Sequence, residues 1–477
     1  MALRERLLQS CAGNAICIVE AAKKLVESNE ADEETVKLAG SMLGQPSRKS
    51  GVFLSRYLDV FSRLVQKHCS VMGEREYCIY SWNPRVPIRY FPVGIDATGT
   101  ILAFDKSGIP RLVSYPVSRT LDIEGHGVSI PNVSENPVVE ISKRADGYQV
   151  SFYFNPDLKR WIPSTRYLLH NMRYEGRNLI IADSAEDIIN PYALIADRIA
   201  EEAGLYEKLS GWEGRTVNFI LLLEEPATVR PNVDLASPER CKLLLLNYRD
   251  ESGRLSSISE AVKELMWEHV VESEKVRLDS KEELYSLIEK ARQSLEHRSH
   301  FLRFERGEPQ RPLVIEVKSK LYAEAMNVKY MSDPKSYIIL ISEGKREEAL
   351  GLLVDYEPIK QAALKLAEHY TALETLVDRL AEGLGAGESI IERLLKGLQD
   401  VGAVGENGNK VSTLRSELER ARRTKNTRRL ARVLALAVLG ETMIEAEEGV
   451  SKLVSAIKAV LQSQDNKERS KNETAAL

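Results

Sequence analysis

The sequence predicts an α+β fold in which antiparallel sheets with inserted helices are flanked by helical domains at both ends. Two observations predict it. Short β-rich runs separated by turn signals cluster in the middle of the chain, and apolar residues recur with a period near 3.6 on either side of that cluster. At 477 residues the chain is too long for one ordinary core, so it is expected to divide into several domains.

The N-terminal region, residues 1–75, reads as helical. Leu3, Leu7 and Leu8 open an apolar face, and Ile16, Val19 and Ala22 continue it. Leu54, Leu58, Phe61 and Val65 repeat it in a later helix, with Gly44, Pro46 and Gly51 between them as punctuation. From 76 to 354 the pattern changes to strand-like runs: IRYFPVGI, TGTILAF, RLVSYPV, NPVVEI, YQVSFYF, NLIIA, TVNFILLLE, CKLLLLNYR, HFLRF, PLVIEVK and SYIILI. Helices interrupt this series at NPYALIADRIAEEAGLYEKL, ISEAVKELMWEHVVE and SKEELYSLIEKARQSL. Residues 355–465 read as a C-terminal helical domain, and 466–477, polar and poor in apolar residues, as a disordered tail.

Composition narrows the function classes. An apolar fraction of 43% and a charged fraction of 29% are those of a globular protein. Net charge is −4 and the pI about 6.1, so a nucleic-acid site has to be a local patch. The opening MALRERLLQS lacks the apolar stretch of a signal peptide, and no apolar run is long enough to span a bilayer. A cytoplasmic location without membrane partners is expected. Cys11, Cys17, Cys69, Cys78 and Cys241 show no CxxC spacing and sit mostly in apolar runs, which predicts buried free thiols rather than a metal site. No phosphate-binding G-x-x-x-x-G-K-[ST] loop is present. His297 and His300 would lie on opposite faces of a strand, and the seven histidines form neither a triad nor a metal spacing.

The middle region carries an ordered set of motifs. ATGTILAFDKSGIPRLVSYPVSRTLDI is followed by SKRADGYQVSFYF, with Asp146 and Gly147, and then by Thr165 and Arg166 in WIPSTRY. TVNFILLLEEPATVRPNVD, CKLLLLNYRDESGRLSS and LVIEVKSKLY complete the series. Over roughly Pro84 to Leu350 this order resembles the nucleotidyltransferase core of the phage-type ATP-dependent RNA ligases. The resemblance implies a ligase-type core, RNA as partner, and ATP and Mg as cofactors if the core is active. It also implies a helical C-terminal domain for substrate choice or for pairing with a protein partner or a second copy.

Several positions depart from that pattern. The adenylated lysine should stand two residues before Asp146, where the chain has Arg144, and a guanidinium stays protonated and is no nucleophile. Lys143, one residue earlier, would point to the opposite face of a strand. The third motif's glutamate falls on Leu222, the fourth motif's Glu-Gly on Arg298 and Ser299, and the last motif's first lysine on Glu316, while Lys318 keeps the second. Glu224 and Glu296 each lie two residues from a missing acid and could share its sheet face.

Loss of a nucleophile and two carboxylates removes the charge placement that nucleotidyl transfer depends on. The expectation is a pseudoenzyme whose groove binds RNA or nucleotide phosphates. The candidate residues are Arg144, Asp146, Gly147, Thr165, Arg166, Arg298, Arg303 and Lys318. Two alternatives stay open: an active, divergent ligase adenylated at Lys143, and a non-catalytic scaffold subunit. A second candidate surface is the basic stretch with Arg420, Arg422, Arg423, Lys425, Arg428 and Arg429, opposed only by Glu417 and Glu419. It could also be a solvated helix face.

Overall fold

The computed structural model describes residues 3–124, 130–169, 172–175, 178–181, 191–223, 240–353, 356–383 and 427–475, with scattered positions between 392 and 420. It forms two compact units: Met1–Ala291 with Ser299–Lys318, and Arg292–Arg298 with Ser319–Leu477. No helix among the described residues is long and apolar enough to cross a membrane.

The first unit opens with α1 (Leu3–Ser10), α2 (Ala15–Glu27), α3 (Glu33–Met42) and α4 (Ser50–Arg63). Then follow β1 (Val65–Met72), β2 (Arg75–Trp82), α5 (Pro92–Asp96), β3 (Thr98–Phe104), β4 (Pro110–Ser114), β5 (Leu121–Asp122), β6 (Val138–Lys143), β7 (Tyr148–Asn155) and β8 (Arg160–Thr165). Next come β9 (Met172–Glu175), β10 (Asn178–Ile181), α6 (Pro191–Glu202), α7 (Leu205–Lys208), β11 (Thr216–Leu222) and β12 (Lys242–Arg249). The remaining elements are α8 (Ile258–Leu265), β13 (Ser273–Arg277), α9 (Lys281–Arg292), β14 (Ser299–Glu308) and β15 (Arg311–Lys318).

The strands make three sheets. Their orders are β4-β3-β2-β1-β10-β9, β12-β11-β7-β8 and β13-β6-β14-β15-β5. Pairing is antiparallel except for β1 with β10 and β15 with β5. The architecture is thus the α+β class read from the sequence.

Local chemistry explains the helical start. Asn14 accepts from the Cys17 amide and Asp32 from the Thr35 amide, so α2 and α3 each begin on a side-chain cap. Ile16, Val19 and Ala22 are fully buried and share a core with Phe53, Tyr57 and Val60 of α4. The helical pattern expected over residues 1–75 stops earlier. Leu64 caps α4, and the chain turns into the β1–β2 hairpin, whose reversal uses Gly73 in the left-handed region at φ 62°. IRYFPVGI, read as a strand, contains helix α5 instead, with Pro92 at its first position.

The third sheet shows the alternation that builds the site. Val139, Ile141, Leu302, Phe304, Ile315 and Val317 turn to one side and form an apolar core with α9. Glu140, Ser142, Phe301, Arg303, Val314 and Glu316 have the opposite parity and line a cavity.

A buried polar cluster ties the sheets and the first helices together. The Asp96 carboxylate, 0% exposed, accepts from the Ala15 amide, the Tyr115 hydroxyl and the Arg311 guanidinium, whose nearest contact is 2.8 Å. Arg311 also donates to the Gly13 carbonyl. Arg249, 1% exposed, lies over the Tyr115 ring at 3.6 Å. Its guanidinium donates to the carbonyls of Tyr115, Pro116, Gly253 and Gln310 and to the Ser118 hydroxyl. A charge this deep is stable only with its donors satisfied, and these are.

The second unit is helical: α10 (Tyr322–Met331), α11 (Pro334–Ser342), α12 (Arg346–Gly351), α13 (Glu357–Gly383), α14 (Thr427–Ala437) and α15 (Met443–Ala475). SYIILI is not a strand here. Asp333 accepts from the Ser336 amide and Pro334 occupies the first turn, so the run starts as α11. It is apolar nearly all round because it is buried nearly all round. Tyr337, Ile338 and Leu340 share one core with Leu366, Leu373 and Val377 of α13, so the run packs within this helical unit. Helix α15 runs on to Ala475, through the stretch read as a disordered tail, with neither Gly nor Pro after Gly449 to interrupt it.

The cysteine expectation is corrected. Cys11–Cys17 and Cys69–Cys78 are disulfides, and only Cys241 is a free, buried thiol. Cys69 and Cys78 stand directly opposite in the β1–β2 register, a proximity that separations of 6 and 9 residues do not reveal. In denaturant without reductant, one thiol per chain should titrate, rising to five after reduction.

Gly147 has a packing reason. A Cβ there would meet the Leu221 carbonyl at 2.5 Å and Ile220 Cγ2 at 2.6 Å, so only glycine lets the start of β7 approach β11. Gly147→Ala is expected to cost about 1–3 kcal/mol in urea denaturation. Gly51→Ala, in open space within α4, should instead be stabilising by up to about 1 kcal/mol.

Candidate functional site

The groove face of the third sheet floors a cavity of about 850 Å³ within the first unit. That volume suits one nucleotide-sized ligand. Six cationic side chains line it (Arg119, Lys143, Arg144, Arg166, Arg303 and Lys318) against three carboxylates, Asp122, Glu140 and Glu316. The cavity is therefore electropositive although the whole chain is acidic.

The residues singled out by the sequence fall into distinct positions. Arg144 follows β6 on the parity of Glu140 and Ser142 and enters the cavity lining, with its amide bonded to the Ser299 carbonyl. Its guanidinium donates to Glu316 at 3.1 Å, and Asp146 lies 3.7 Å from its Nε. Lys143 has the parity of Ile141, and its amine pairs with Glu272 at 2.5 Å. Thr165 and Arg166 also line the cavity, and Gly99, at φ 106°, lets the Arg166 backbone approach β3. Lys318 is salt-bridged to Asp122, whose hydrogen bond raises the lysine pKa.

Arg303 lines the cavity with both terminal nitrogens engaged, although its Nε has no acceptor. Its two terminal nitrogens donate to the Ser256 and Leu255 carbonyls at 2.6 Å, which makes it a brace for the turn before α8. Arg298 belongs to the second unit. Ser299, its neighbour, donates its hydroxyl to Glu316.

The family pattern implies a divalent ion, and the three lining carboxylates do not fit one. Glu140, 4% exposed, accepts the Ile258 and Ser259 amides at 3.1 Å and so neutralises the N-terminus of α8. Glu316 is held by Arg144 and Ser299, and Asp122 by Lys318. Each acid therefore has its positive partner inside the protein. Among the described residues, the group with metal-like geometry is Cys69, Glu76 and Cys78, and its two sulfurs are joined in a disulfide. Glu224 lies outside the described residues.

Two arginines differ. Neither Arg119 nor Arg166 has a described carboxylate partner. The buried Nε of each lacks an acceptor, as that of Arg303 does, but neither has its terminal nitrogens braced on two carbonyls as Arg303 has. Burial, and then the nearby Arg166 charge, push Arg119 down to about 10; burial also lowers Arg166. Both stay charged at neutral pH. The motif series contains Arg119 in VSRTLDI without marking it as a site residue; the available signal was an arginine with no acid within two positions. Also missed were Tyr148 and Tyr192, which line the cavity with stacked rings 4.0 Å apart.

In the second unit, the basic stretch is only partly described: Arg422, Arg423 and Lys425 lie outside the described residues. Arg420 and Arg429 are on helical residues with partners, and Arg428 donates to the Ser342 carbonyl at 2.6 Å. Arg415 pairs with Glu392, and Arg432 with Glu343.

No family model matches the chain, and no curated protein does. Among solved structures, an archaeal ATP-dependent RNA ligase is similar at 12% identity and a TM-score of 0.36, over 67% of this chain and 79% of that one. An RNA ligase from Naegleria gruberi with PPi is similar at 9% identity and a TM-score of 0.27, over 55% and 97%. A putative ATP-dependent DNA ligase from Aquifex aeolicus is similar at 13% identity and a TM-score of 0.33, over 65% and 80%. What the cavity does is read from this chain's own residues.

Glu140 and Lys143 separate structural from peripheral charge. Glu140→Ala strips two buried amides of their acceptor and should cost about 2–4 kcal/mol. Lys143→Ala removes a partly exposed pair and should cost under about 1 kcal/mol. Urea denaturation of both variants checks the contrast.

Proposed function

We propose that this chain is an RNA-ligase-like protein that no longer transfers nucleotidyl groups and that binds RNA or nucleotide phosphates in the cavity of its first unit. What supports this above all is the side-chain placement after β6. The residue on the cavity face is Arg144, bonded to Glu316, while the neighbouring amine of Lys143 is held by Glu272. An arginine cannot form the lysyl-adenylate.

The charge balance favours retained binding. Three carboxylates are consumed by internal partners, and the cationic excess leaves an anion site. Phosphate suits it because the guanidinium fork presents paired donors. RNA as the source of that phosphate is proposed from the motif order described above, which resembles the RNA ligases.

Adenylation decides the catalytic half. Folded protein incubated with α-labelled ATP and Mg²⁺ or Mn²⁺, then denatured, should carry no covalent label. Label that disappears in Lys143→Ala would instead make this an active ligase with a displaced nucleophile.

A further inference from the structure

Arg119 and Arg166 are cationic cavity residues whose charge nothing described in the protein balances. Arg119 is fixed by its amide on the Ile95 carbonyl and reaches one acceptor, the Ala97 carbonyl, at 3.5 Å. Arg166 is anchored through its carbonyl, which accepts the Ser81 hydroxyl. Their backbones are thus held by separate elements, helix α5 for Arg119 and strand β2 for Arg166, while their side chains line one cavity with buried Nε atoms lacking an acceptor. Two half-buried like charges in proximity are unfavourable unless an anion joins them.

We propose that Arg119 and Arg166 form a clamp for a phosphate monoester, the terminal phosphate of a nucleotide or of an RNA 5′ end, and that it binds without a divalent cation. This rests on the proposed phosphate-binding function and adds the charge state of the ligand and its independence of metal. A monoester carries close to two negative charges at neutral pH, since its second pKa is about 6. It balances both guanidinium groups, whereas an internal phosphodiester, with one charge, balances half of them. A divalent ion would add positive charge to a lining already cationic, and Asp122, Glu140 and Glu316 are engaged elsewhere. Arg144 and Lys318 hold carboxylates of their own, which leaves the clamp to the two unpaired arginines.

The test titrates the full chain with one short single-stranded RNA bearing either a 5′-phosphate or a 5′-hydroxyl, in EDTA and in Mg²⁺. The phosphorylated RNA should bind on the order of 10- to 100-fold more tightly, the worth of one or two charge-assisted contacts. The advantage should be equal in EDTA and should fade below about pH 6 as the monoester takes a proton. Arg119→Gln and Arg166→Gln should each erase it while the unfolding midpoint confirms folded protein. Competition by AMP would support the clamp and extend it to free nucleotides; failure of AMP alone would support it for RNA ends. Equal affinity for the two RNAs, or an advantage seen only with Mg²⁺, would overturn the clamp and leave RNA binding standing. No binding of RNA or AMP would overturn both, and covalent label from ATP would overturn only the non-catalytic reading.

Discussion

Much of the first unit hangs on the buried contact between Asp96 and Arg311. One carboxylate gathers the first amide of α2, a tyrosine hydroxyl from beyond β4 and a guanidinium from β15. Removing one partner of such a pair commonly costs about 3–5 kcal/mol, because the other is left buried and uncompensated. Arg249 extends the cluster, and its hydrogen bonds fix Tyr115, Pro116 and Ser118. The next residue is Arg119. The position of a cavity cation is therefore set by a buried network of which only Ser118 also lines the cavity.

The cavity shows the same economy of charge. Its acids sit where positive groups already are: a helix N-terminus for Glu140, a guanidinium for Glu316 and an ammonium for Asp122. Its uncompensated charges are all of one sign. The lining thus carries resident cations, and none of its three carboxylates is left without a partner.

Much of the fold was legible in the sequence, since period-two runs such as YQVSFYF and TVNFILLL are strands and the amphipathic ends are helices. SYIILI misled because a helix buried on every side has no polar face to give it a period. The β1–β2 hairpin was hidden by apolar spacing that continues from α4 into Val65, a residue buried in the same core. Of the cavity, Arg144 and Arg166 were visible through motif order. Arg119 was not, because its significance is the absence of a partner, which depends on what folds around it. The Cys69–Cys78 disulfide escaped for the related reason that β1 and β2 had not been recognised as neighbours.

Arg249 binds four carbonyl oxygens. A carbonyl is the same in every residue, so through these four bonds the arginine recognises where the backbone passes, while the Tyr115 ring and the Ser118 hydroxyl add two side chains that it does read. Along these segments composition is constrained only where a side chain meets the cluster, as at Tyr115, or where no Cβ fits, as at Gly253; elsewhere it is the path of the chain that must be kept. They cannot gain or lose a residue. Relatives of this protein are better sought by the constancy of loop length around one buried arginine than by similarity of letters.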